Sequence, residues 1–102
     1  MPRPAEPQLE RRLADALAAR LRELRSAKGL SQEAVAHAAG IHRNHYQLLE
    51  SGLSDRKKQS PANPRLSTLV ALCRVYGTTV PDLVVDVFHS DEPAIEYDDT
   101  AH

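Results

Sequence analysis

The 102-residue sequence has no tryptophan, one phenylalanine, one methionine and one cysteine, and aromatic residues make up only 4% of it. Without large rings, a core must be built mainly from leucine, valine and alanine, within an apolar fraction of 41%. That composition favours packed helices over a sheet sandwich. The lone thiol, Cys73, excludes an internal disulfide and cannot build a zinc site by itself. No N-terminal apolar run has the form of a signal peptide or a spanning helix. A soluble, cytoplasmic chain is therefore expected, with room for one compact domain and not for two.

Charge is plentiful but divided. Residues 1–81 carry 13 lysines and arginines against 7 acids, a balance of +6, whereas residues 82–102 carry 7 acids and no Lys or Arg, a balance of −7. A basic body with an acidic end suits a domain that meets an anionic surface, although solvated charge gives the same pattern. Three prolines in residues 1–8 and the absence of apolar periodicity mark a flexible leader. The folded domain is expected over 9–88, and 89–102 is expected to be a disordered acidic tail.

Within the domain, Leu9, Leu13, Leu17, Leu21 and Leu24 recur at helical spacing and define a long first helix that Gly29 stops. Ser31 is placed to cap a short second helix, through about Ala39, with Glu33 in its first turn. Gly40 breaks that helix, and a third runs from about His42 to Ser51, with Tyr46 and Leu49 facing inward and Gly52 ending the run. The Tyr46 ring is expected inside, its hydroxyl reaching the edge. The stretch 53–63 reads as a loop carrying Arg56, Lys57 and Lys58. Pro64 opens a fourth helix, with Asn63 as its cap and Leu66, Leu69, Leu72, Cys73 and Tyr76 on its apolar face. Thr79 and Asp82 have capping spacing for a fifth helix, Val80 to about Val87.

Two short helices joined by a tight glycine turn, over residues 31–52, can place the second helix in a DNA major groove. The segment LSQEAVAHAAGIHRNHYQLLESG, preceded by LRELRSAKG and followed by NPRLSTLVALCRVYGTTVPDLV, resembles the Cro and phage-repressor type (XRE-like) of helix-turn-helix transcriptional regulator. The resemblance covers about Leu17 to Val84. It implies an all-α, five-helix lambda-repressor-like domain that binds double-stranded DNA, a repressor rather than an activator, with no cofactor.

The resemblance also assigns roles. Gln32 opens the second helix, where amide and helix N-terminus meet a phosphate. Arg43 and Asn44 begin the recognition helix, with Gln47 and Leu48 one turn later. Arg43 can donate bidentately to guanine and Asn44 to adenine, while Leu48 can touch a thymine methyl. His42 and Ser51 are further expected phosphate contacts, while Arg56, Lys57 and Lys58, on a loop that departs from the family pattern, and Arg65 at the next helix start either grip the phosphate backbone or form a solvated surface. Arg25 and Glu50 occupy positions whose ion pair ties the first helix to the third.

Three features depart from the family pattern. The loop SGLSDRKKQSPANP is several residues longer than the usual connection, His42 stands where a short hydroxyl cap is usual, and the first helix begins about two turns early. Leu9 and Leu13 on that extension, the fifth helix and 84–88 are candidate contacts of a homodimer, since one such domain spans few base pairs. Packing of Leu9 and Leu13 within the subunit is the alternative.

Other readings are weaker. His37, His42 and His45 lie close in sequence, but His37 sits on a different helix and no carboxylate pair joins the others, so no metal site is expected. Cys73 falls on the buried face of the fourth helix and reads as packing. Neither a Gly-rich phosphate loop nor a catalytic triad pattern is present, so the chain is not expected to be an enzyme. The serious competitor is an antitoxin-like or other protein-interaction module that holds a partner through its acidic tail.

Overall fold

The structure is a computed structural model and describes residues 7–85. Five helices and one two-stranded hairpin make up the described chain: α1 (Pro7–Lys28), α2 (Gln32–Ala39), α3 (Arg43–Glu50), β1 (Leu53–Asp55), β2 (Ser60–Pro61), α4 (Leu66–Tyr76) and α5 (Val80–Leu83). The all-helical class expected from the sequence is the class observed, and the hairpin is the one addition to it.

Helix α1 starts at Pro7, so the last two residues expected in the leader are helical. Proline has no amide hydrogen to lose in a first turn and its φ is already helical, which suits it to open the helix. The remainder of the leader, 1–6, and the segment 86–102 with the acidic tail lie outside the described residues.

The core is Leu17 and Leu21 of α1, Val35 and Ala36 of α2, Tyr46 and Leu49 of α3, Leu72, Cys73 and Tyr76 of α4, and Leu83 of α5. Burial pushes the Cys73 thiol up, so it stays protonated and acts as a small apolar filler. The Tyr46 ring lies inside as expected, but its hydroxyl does not reach the edge. Its side chain is 0% exposed and its hydroxyl stops inside the protein, 2.5 Å from the Tyr76 hydroxyl. Helix α4 supplies that partner, a contact 30 residues away that no local pattern announces. Burial pushes the ionisation of both hydroxyls up, so both stay neutral.

Three element boundaries differ from the sequence reading. The expected loop contains the hairpin, with Leu53 paired to Pro61, Asp55 to Ser60, and an irregularity in register between them. Strands of three and two residues are too short to show alternation, and the contacts that fix them come from elsewhere in the chain. The Ala62 amide donates to the Gly52 carbonyl at 2.9 Å, and the Arg11 guanidinium of α1 donates to the Gln59 carbonyl at 2.6 Å. Helix α4 begins at Leu66 and not at Pro64, because Arg65 is extended (ψ 155°) and occupies the cap position without a side-chain bond. Leu66, expected on the buried face, is consequently at the first helical position and 67% exposed. The α-helical part of α5 ends at Leu83, and the end expected at Val87 lies outside the described residues. The Thr79 hydroxyl does accept from the Asp82 amide at 3.3 Å, but the β-branched Val84 and Val85 that follow are poor helix formers.

Gly52 is the joint between α3 and the hairpin. Its φ is +74°, and a Cβ there would lie 2.8 Å from Asp15 Oδ1 and 3.6 Å from the Ala14 carbonyl oxygen on α1. The carboxylate can swing away, but the left-handed backbone cannot be relieved. Gly52→Ala is expected to cost about 1–2 kcal/mol from backbone strain, which equilibrium urea unfolding of parent and variant measures.

Candidate nucleic-acid interface

Helices α2 and α3 meet at a turn fixed by both ends. The Ser31 hydroxyl accepts from the Ala34 amide at 3.0 Å, which satisfies one of the unpaired donors at the start of α2. Gly40 closes α2 in the left-handed region, φ +74°, and the Ile41 amide then returns to the Ala36 carbonyl at 3.0 Å. A side chain at Gly40 would strain this αL closure, which is why the glycine marks the turn in the sequence.

Helix α3 divides its faces sharply. Tyr46, Leu49 and Glu50 are buried, Gln47 and Leu48 are half-buried, and His42, Arg43, Asn44 and His45 are exposed at its start. His42 holds the cap position without a side-chain bond, so its imidazole is not committed to the helix end. Arg43 is 60% exposed, and its guanidinium lies 3.9 Å from Glu33 Oε1, beyond hydrogen-bond length and screened by water. The side chain can therefore turn toward a ligand with little loss. Ser51 closes the far end, its hydroxyl donating to the Gln47 carbonyl at 3.1 Å.

The aim of α3 is set from behind. Arg25 Nε donates to Glu50 Oε2 at 2.6 Å and Arg25 Nη2 to Glu50 Oε1 at 3.1 Å, a two-point contact from α1 to the last residue of α3. Gln32 Nε2 donates to the same Oε1 at 2.9 Å, bringing the first residue of α2 into the group. Arg25 also donates to the Leu30 carbonyl at 3.1 Å, and Arg22 donates to the backbone carbonyl of Glu50. Burial alone pushes the Glu50 carboxyl up, but the hydrogen bonds from Arg25, Tyr46 and Gln32 outweigh it and hold the group below the usual carboxylate range. It is ionised at neutral pH despite being 3% exposed.

Gln32 thus has a second occupation that the sequence did not suggest. One amide hydrogen goes to Glu50, which fixes the side chain at the N-terminus of α2 and leaves it another hydrogen to donate. Arg22 and Tyr76 also belong to this assembly and escaped the sequence reading. Arg22 lies three residues before Arg25, a spacing that places both on one side of α1, and that was the available signal. For Tyr76 there was none beyond its place on an apolar face.

Arg56, Lys57 and Lys58 are exposed on the turn between β1 and β2. The turn is ordered by its own bonds: the Lys58 amide donates to Asp55 Oδ1 at 2.9 Å and Gln59 Nε2 to the Arg56 carbonyl at 2.6 Å. Arg65 is exposed at the start of α4. Among the described residues no group of three or more His, Cys, Asp or Glu side chains could hold a metal ion, and no helix is long and apolar enough to cross a membrane.

A capped helix, a left-handed glycine turn and a second helix with a polar front define a helix-turn-helix protein. The chain belongs to the helix-turn-helix domain family, whose model matches residues 16–85. It is 40% identical over 79 residues to the HTH-type transcriptional regulator DdrOP3 of Deinococcus deserti, a match covering 76% of this chain and 55% of that protein. It is 33% identical over 67 residues to the cryptic phage CTXphi transcriptional repressor RstR of Vibrio cholerae, covering 66% of this chain and 53% of that one. The chain thus spans about half the length of the curated relatives it matches. A crystal structure of the clp gene regulator ClgR from Corynebacterium glutamicum superimposes with a TM-score of 0.62 at 23% identity, over 80% of this chain and 96% of that one, and shares the fold.

Proposed function

We propose that the chain is a sequence-specific double-stranded-DNA-binding transcriptional regulator, a repressor, that lays α3 in the major groove. The observation that carries this reading is the division of α3: its back is buried and tied to α1 through Glu50, while Arg43 and Asn44 are exposed on its leading turn. Arg43 and Asn44 read base edges, with Gln47 and Leu48 one turn behind. Gln32, His42, Ser51, Arg56, Lys57, Lys58 and Arg65 contact phosphates and fix the register without specifying bases. The relatives named as a transcriptional regulator and a transcriptional repressor support the regulatory and repressive parts of the reading.

The protein acts as a homodimer on two half-sites about 34 Å apart. Leu13, 38% exposed on the extension of α1, supports this reading as an apolar residue that its own subunit leaves partly uncovered. Sedimentation at increasing concentration, with and without a duplex carrying two half-sites, tests the assembly.

The hairpin cations give a distinct prediction. Replacing Lys57 and Lys58 by alanine lowers affinity for every duplex alike and reduces the slope of log affinity against log salt by about 0.9 for each phosphate no longer neutralised. Binding isotherms at several salt concentrations check this, and an unchanged slope would remove the hairpin from the interface.

A further inference from the structure

Five residues of α3 lie outside its buried face, and four of them, Arg43, Asn44, Gln47 and Leu48, have a place in the DNA reading above. The fifth is His45. At about 100° per residue, the direction opposite to buried Tyr46, Leu49 and Glu50 falls between Asn44 and Leu48, each within about 30° of it. Gln47 and His45 flank that centre, about 75° and 85° to its two sides, while Arg43 lies about 115° away on the Gln47 side. His45 is the one residue of α3 on the second flank. We propose that His45 is a further specificity-determining residue, donating an imidazole N–H to the N7 of a guanine at a base pair other than the one Arg43 reads; the assignment rests on the DNA reading above.

Placement supports it first. His45 is in the first turn of α3, next to Asn44 and three residues before Leu48, so it shares one surface with two side chains that meet bases in that reading. Its side chain is exposed, and among the described residues its imidazole makes no hydrogen bond or ion pair. No contact of the fold holds the ring away from a ligand. The chemistry agrees. Imidazole keeps an N–H to donate in either tautomer and when protonated, and guanine N7 accepts in the major groove. Guanine is favoured over adenine because the group beside N7 is O6, a second acceptor, where adenine presents a donor. The histidine side chain is short and stiff, which confines the ring to the base pair beside its own flank, whereas the long Arg43 side chain can reach its guanine from farther round the helix.

Selection of bound fragments from random duplex DNA, run with the parent chain, His45→Ala and Arg43→Ala, tests the assignment. His45 is exposed, so the variant is expected to fold as the parent does, which circular dichroism checks. The variant is expected to lose preference at one guanine in each half-site, distinct from the guanine lost by Arg43→Ala. Placing 7-deazaguanine there, which exchanges the N7 acceptor for C–H, is then expected to lower parent affinity several-fold and to leave the affinity of His45→Ala unchanged.

Equal penalties from 7-deazaguanine in parent and variant overturn the contact with N7. Loss of affinity for preferred and scrambled duplexes alike makes His45 a phosphate contact and overturns the proposal, as does a loss at the guanine of Arg43. A parent that enriches a site which His45→Ala returns unchanged overturns this assignment alone, whereas a parent that enriches nothing overturns the DNA reading and the assignment with it.

Discussion

Arg25→Ala lowers the stability of the domain by about 3–5 kcal/mol, as expected when one partner of a buried ion pair is removed. The loss is large against a total of roughly 5–15 kcal/mol for a domain of ordinary stability. Its source is the carboxylate left behind: Glu50 is 3% exposed and would keep only the hydrogen bonds of neutral groups. Glu50→Ala is expected to cost less, because the Arg25 side chain is 26% exposed and its guanidinium can turn toward water. Urea unfolding of the two variants measures the difference. Equal losses would mean that the carboxylate is not the stranded group.

The same carboxylate gives the stability a pH dependence with a defined sign. Glu50 ionises more readily folded than unfolded, so the folded state binds its proton less tightly. Its contribution is complete above the unfolded value of about 4.3 and is lost as the pH falls through the lower, folded value. Glu50→Gln has no proton to bind, so the gap between parent and variant narrows from pH 7 toward pH 3. A gap that stayed constant over that range would contradict the assignment.

Arg43→Ala is the second large effect and acts on recognition with little change in stability. Its guanidinium makes only a long, water-screened approach to Glu33, so removal is expected to change folding by less than about 0.5 kcal/mol. Removing a bidentate donor to guanine costs about 1–3 kcal/mol of discrimination, roughly a 5- to 150-fold loss of preference. Fluorescence anisotropy on a preferred and a scrambled duplex separates this from general weakening. The preferred duplex loses affinity and the scrambled one changes little. The pattern is opposite to that of Lys57 and Lys58, whose removal weakens both duplexes equally.

How far the sequence went depends on whether the determining contacts were local. Ser31, Gly40 and the spacing of Leu17 and Leu21 act within one turn of chain, and the helices they delimit stand where that chemistry puts them. The exposed polar start of α3 was legible for the same reason, since Tyr46 and Leu49 fix which side of the helix faces inward. The hairpin was hidden because its register depends on Gly52, on Ala62 and on Arg11, which lies 48 residues from Gln59. The hydroxyl of Tyr46 was misplaced because its partner arrives on α4. Gln32 shows the limit most plainly: its place at the start of α2 was evident, but its bond to Glu50 appears only when two helices are packed together.

The account depends most on the front of α3 reading base edges. Selection of bound fragments from random duplex DNA, carried out in parallel with the parent chain and Arg43→Ala, tests that directly. The parent is predicted to enrich a two-fold site with half-site centres about 34 Å apart, and the variant to lose its preference at one guanine in each half while keeping the others. A parent that enriches nothing, or a variant that returns the identical site, would contradict it.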